Sequence, residues 1–357
     1  MLSILIMHFY ETFLAMPGAL DSRLCFLPFT STDFVISTII INFFKFGTIV
    51  FFVISGFLFQ HNYAKYKASF RKFVSKKYVS LLKPYLLVFF LPILLYITFA
   101  PFIGYQREVL TIKYFFVKIL EEIFLSNYWF IPTLFLYFII NFFIPTNKIN
   151  ISLVLFALMT LFFSFNLHFH YFFRELPHTV TGVGFGFFFI LGRYAYLHQD
   201  KSMCGRKMIY LVIGIILSLV FSYLESKSIL KNGLMTAHPT MGVDAYDTLK
   251  ISNIFYSLGI IELLNRFFAS RKDDKIITSA NTYFIYLFHP HILKVICFLG
   301  FHHLLSVLDL PPTCHFSFMA VVYVIVGISI CFVIEWISRK IIIGRRSIQD
   351  ICMYGRN

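Results

Sequence analysis

The chain has 357 residues, 59% of them hydrophobic and 13% charged, with a mean hydropathy of +0.78 and a formal net charge of +14. A soluble domain carries about 25% charged residues, so roughly half that share leaves too little polar surface to face water. The positive charge is not read as nucleic-acid binding, because no soluble module is present to carry it.

Apolar runs of about helix-spanning length occur near residues 2–16, 43–60, 80–100, 129–145, 151–167, 179–196, 207–224, 251–268, 281–300 and 316–338. They are continuous and lack the alternation of an outer-membrane barrel. The expectation is an all-α, polytopic membrane helix bundle of about ten transmembrane helices. No linker divides residues 1–357, which are read as one membrane domain.

The first run has no basic n-region and no small-residue cleavage site, so it reads as a membrane helix and not as a signal peptide. It reaches Pro17 after about fifteen apolar residues where roughly 20 are expected, which predicts a further segment ahead of Met1. His8 lies two turns into this run, about 10 Å along it. An ionisable residue inside a membrane span is a candidate for function, and a core histidine paired to a neighbouring helix is the alternative. Glu11, at i,i+3 from His8, either orients the ring or is a helix-end charge.

Residues 34–42 are also apolar and either extend the second run or lie along the interface. Ser55 and Gly56 read as small residues for close helix packing, as do Gly182, Gly184 and Gly186. The three glycines are not a dinucleotide loop, since no strand precedes them. Residues 65–83 hold seven basic residues and no acidic one. Residues 108–126 mix charge with apolar positions at helical spacing and fit a surface helix.

His168, His170 and His178, near Arg174 and Glu175, lack the spacing and fourth ligand of a zinc site, so no metal is expected. His289 and His291 flank Pro290, where a histidine has a freed backbone carbonyl to satisfy. The six cysteines contain no CxxC pair; pairing of Cys25 with Cys314 stays open.

Counted by alternate loops and ends, 21 basic residues fall on one side and 8 on the other, with Lys45 and Lys294 in or beside spans. Arg193 counts with the first group and Lys250 with the second. By the positive-inside rule both termini are cytoplasmic.

Four segments carry a resemblance. They are Gly47-Thr-Ile-Val-Phe-Phe-Val-Ile-Ser-Gly-Phe57, the basic stretch from Phe73 to Pro84-Tyr85, Tyr128-Trp-Phe-Ile-Pro-Thr-Leu134, and Ser279 through His289 to Leu293, with a weaker match at Phe189-Ile-Leu-Gly192. In this order and spacing they resemble the acyltransferase family 3 membrane enzymes over nearly the whole chain. The family's first helix carries an Arg ten residues before a His. His8 stands at that His, while the Arg would fall three positions before Met1. Lys76 and Lys77 stand where the family has arginines, keeping the charge and losing the bidentate fork. Ser80 stands where another Arg is usual.

The resemblance implies an enzyme of the bacterial cytoplasmic (inner) membrane. It would move an acyl group, most simply acetyl, from cytoplasmic acyl-CoA to a hydroxyl of a cell-surface polysaccharide or a lipid-linked glycan. His8 would be the base, with Glu11 and His289 as further catalytic candidates. Arg71, Lys72, Lys76 and Lys77 would hold the phosphates of the donor. Two rival classes stay open. A glycan flippase would show internal repeats and broken helices. A membrane glycan polymerase would show a large outer catalytic loop.

Overall fold

The computed structural model describes residues 2–8, 31–90, 116, 129–169, 182–198, 208–232, 248–269, 287, 289 and 321–333. Glu11, nearly all of the 108–126 segment, Cys25, Cys314, Pro290 and His291 lie outside the described residues. Among those described, every regular element is helical and none is a strand. The helices are α1 (2–8), α2 (Ser31–Phe44), α3 (Phe46–His61), α4 (Tyr63–Lys67), α5 (Phe70–Lys77) and α6 (83–90). They continue with α7 (Phe130–Phe143), α8 (Ile149–Phe169), α9 (Gly186–Leu197), α10 (Met208–Asn232), α11 (Ile251–Ala269) and α12 (321–333).

Local sequence explains several boundaries. Only Lys45 separates α2 from α3, so the apolar 34–42 stretch is a helical extension of the second run. Pro132 sits in the first turn of α7, where its missing N–H breaks no helical bond. Ile144 is extended ahead of Pro145, as the residue before a proline must be, and α7 stops there. Pro84 has no N–H to give the carbonyl of Ser80, and the wider π-helical turn Tyr78–Leu82 absorbs the lost bond.

Three helical stretches among the described residues are long and apolar enough to cross a membrane: Ile39–His61, Thr146–Phe165 and Ile209–Lys227. They play two roles. The first is the interior helix. On the other two, Ile151, Val154, Leu155 and Leu158 of α8 and Ile213, Ile216, Leu217 and Val220 of α10 are exposed, while Thr160, Ser164, Ser222 and Ser226 are buried. Apolar outward and polar inward reverses the pattern of a helix in a water-soluble protein. It suits lipid as the surrounding solvent, and the chain is a membrane protein.

The innermost contact is between α3 and α9. A methyl group added at Gly56 would collide with the carbonyl oxygen of Phe189, and one added at Gly192 would collide with that of Val53. Each glycine thus lets the partner's backbone touch its own, as in small-residue membrane interfaces. Around this crossing Phe52 meets Phe130, Tyr137 and Phe185 with ring centroids 5.0, 5.8 and 5.1 Å apart. Just before the start of α9, the hydroxyl of Tyr137 donates to the carbonyls of Gly182 and Val183 at 3.0 and 2.6 Å. These bonds anchor the short 3-10 turn Gly182–Phe185 that leads into the helix.

Candidate functional site

The site is built on α3. Its first turn carries Gly47, and a methyl group there would collide with the hydroxyl of Ser3. The absent side chain lets α1 lie directly on α3. Ile4 and Leu5 of α1 are sunk in the core, at 3% and 1% exposure. That packing fixes His8 four residues on, at the end of the described part of α1.

His8 is buried, and so is His289. Nδ1 of His8 lies 2.7 Å from Nε2 of His289, and the rings stack with centroids 4.9 Å apart and planes inclined by 24°. The residues are 281 positions apart in sequence. At 2.7 Å one nitrogen must carry the hydrogen and the other accept it. The contact therefore fixes the tautomer of each ring relative to the other and passes a proton's position between them. Such a pair is suited to accept one proton from a bound hydroxyl and to return it.

The basic residues singled out by sequence separate in space. Ser69 caps α5, accepting from the backbone N–H of Lys72, and its short turns turn Arg71, Lys72 and Lys76 outward into exposure. Lys77 points the other way. Its ammonium sits 3.8 Å from the ring centroid of Phe138 and 5.4 Å from that of Tyr66. Lys76 reaches the same Tyr66 ring at 5.9 Å. Burial, and then the neighbouring Lys76 charge, lower the Lys77 amine to about 8. Burial also raises the Tyr66 phenol. Phe59 and Phe73 complete this aromatic nest, with Phe59 centroids 6.0 Å from Phe138 and 5.8 Å from Phe73. Phe59 lies twelve residues beyond Gly47, about 18 Å along α3. The α1 contact and the Lys77 nest thus occupy different levels of one helix.

Two cations that loop counting treats as surface charge are fully buried: Arg193 and Lys250. Arg193 donates through Nε to Gln60 at 2.9 Å, through Nη1 to the carbonyl and side-chain oxygens of Asn141, and through Nη2 to the carbonyl of Ile144. Its guanidinium also lies 5.1 and 5.0 Å from the rings of Phe59 and Tyr63. It ties α3, α7 and α9 together at the level of the nest. Lys250 donates to Asn42, Ser222 and Ser226. One residue later Glu225 of α10 accepts from the backbone N–H groups of Ile251 and Ser252, capping α11 from a neighbouring helix. Among the signals in the sequence, only position betrays these two: Arg193 lies within the last turn of the 179–196 run and Lys250 directly before the 251–268 run.

The model of an acyltransferase domain family matches residues 1–336, a range that includes all four motif segments, both histidines and the basic stretch. No curated protein and no solved structure matches the chain.

Proposed function

The chain belongs to acyltransferase family 3, a family of membrane enzymes that transfer acyl groups, and from that premise we propose that its donor is acyl-CoA and its acceptor a glycan hydroxyl. The acyl group is most simply acetyl, and the acceptor is a cell-surface polysaccharide or its lipid-linked precursor. The observation that carries the reading is the buried hydrogen bond between His8 and His289.

In the proposed reaction the acceptor oxygen attacks the thioester carbonyl carbon as the histidine pair takes its proton. His289 holds the His8 ring in one tautomer, which keeps a lone pair aimed at the hydroxyl. The carbon–sulfur bond then breaks, the new ester forms, and the thiolate of CoA leaves and regains the proton. An imidazole suits this step because its ordinary titration range brackets neutral pH. The donor enters from the cytoplasm, where Arg71, Lys72 and Lys76 meet its phosphates. The thioester extends along α3 toward the histidines, and the acceptor arrives from the opposite side. Retention of both termini in the cytoplasm belongs to the same reading.

His8→Ala is expected to lower glycan acylation by about 10²–10⁴-fold, read by mass spectrometry of the glycan, with expression and membrane insertion unchanged. His8→Gln keeps a hydrogen-bonding side chain without a base. If it acylates at the parental rate, the pair is structural and the reading fails.

A further inference from the structure

Lys77 is the one residue of the basic stretch whose surroundings differ in kind. Arg71, Lys72 and Lys76 are exposed to water. The Lys77 amine is pressed on the face of Phe138 and shares the ring of Tyr66 with a second ammonium, that of Lys76. An ammonium there has lost much of its hydration and faces a like charge, and both effects favour releasing the proton. The neutral amine is the nucleophilic form, and a lysine desolvated beside another cation is an activated nucleophile.

We propose that Lys77 is a self-acylation site, taking an acyl group from the acyl-CoA that its own neighbours hold. The inference rests on the donor reading above. Nζ of Lys77 attacks the thioester carbonyl, an amide bond forms, and the carbon–sulfur bond breaks. CoA leaves as the thiolate, and the proton lost from nitrogen goes to that thiolate or to water. The amide is uncharged and stable to turnover, so this is a modification and not a catalytic intermediate. It removes one positive charge from the donor-holding stretch and thereby weakens the next donor's hold, a brake that responds to acyl-CoA supply. The lowering of the amine to about 8 agrees, since it raises the neutral fraction at pH 7 by roughly two orders of magnitude over an ordinary lysine.

The test uses the purified full-length protein, acetyl-CoA, and peptide mass spectrometry of each lysine over time. Acetylation of Lys77 is expected to run at least tenfold faster than that of Lys76 or Lys65. Its rate should climb with pH to about 8 and then level, while Lys76 continues to climb. Excess CoA should suppress it, and Phe138→Ala, which opens the amine to water, should bring it down to the Lys76 rate. CoA binding is measured separately by calorimetry. If CoA binds and Lys77 reacts no faster than Lys76, the self-acylation site is overturned and the donor site stands. If CoA neither binds nor suppresses labelling, the donor reading falls and the self-acylation proposal with it.

Discussion

Arg193 and Lys250 are both buried beyond contact with solvent, yet the bundle holds them differently. The guanidinium of Arg193 spans three helices. It reaches main-chain carbonyls at the end of α7, and it lies against two aromatic rings. The ammonium of Lys250 donates to the amide oxygen of Asn42, to the hydroxyls of Ser222 and Ser226 and to the carbonyl of Ser222, and its partners make further bonds of their own. Asn42 donates to Ser226, and Ser222 donates to Asn253. A planar fork with five donors can close gaps that nothing else fills, while a compact ammonium sits in a network that can close without it. The first region is keyed to one side chain, and the second is redundant.

Breaking the first region should cost the most. Arg193→Ala takes the guanidinium donors from the buried side-chain oxygens of Gln60 and Asn141, while the carbonyl of Asn141 keeps the N–H of Ile144 and that of Ile144 keeps the hydroxyl of Tyr63. The expected loss is on the order of 2–4 kcal/mol, about 1–3 kcal/mol for each buried acceptor left without a donor, read as a lowered melting temperature in detergent micelles. Arg193→Lys should recover only part of it, because one ammonium cannot reach all three helices. Equal stability of the Lys variant and the parent would remove the distinction between the two cations.

Lys250→Ala sharpens the contrast from the other side. Ser226 keeps its bond from Asn42 and Ser222 its bond to Asn253, so the loss should be about 1–2 kcal/mol. Lys250→Met, which fills the space without a charge, should come closer still to the parent. A Lys250→Ala variant as unstable as Arg193→Ala would show that the Lys250 network also depends on a single cation.

The smallest effect belongs to charges that remain in water. Replacing Lys72 and Lys76, both exposed, together by Ala should weaken acyl-CoA binding about three- to tenfold at low ionic strength, in line with about 0.2–1 kcal/mol for each exposed charge contact. The difference should shrink as salt is raised, because exposed charges are screened within about 10 Å at 0.1 M. Unchanged donor affinity at low salt would leave these lysines as topology signals alone.

Parts of the site were legible in one dimension. His8 and His289 each stand out as an ionisable residue inside an apolar run; His289 falls in a motif segment, and His8 stands at the histidine of the family's first helix. Nothing in either segment says that they touch, since 281 positions separate them; the packing of α1 on Gly47 fixes the His8 side of that contact. Gly56 read as a packing residue and Gly192 as part of a weak match; that each accommodates the other's helix is a fact about a crossing. Lys76 and Lys77 were indistinguishable as neighbours in a basic stretch. The helical rotation between them, about 100°, puts one in water and the other on Phe138.

What the sequence determined alone is the solvent and the class of element. Low charge content and long apolar runs have one physical solution, helices in lipid, because a backbone there must satisfy its own hydrogen bonds. The order of motifs added the family, and the family the acyl chemistry. The tertiary structure decided which polar groups meet. A charge at the end of an apolar run reads as a loop charge whether it turns outward, as Lys148 does, or inward, as Arg193 and Lys250 do. The direction is set by which carbonyls, hydroxyls and rings neighbouring helices present at that level, and those neighbours are distant in the chain. The same reason governs the histidine pair: hydropathy is a property of each segment, whereas a 2.7 Å contact is a property of two.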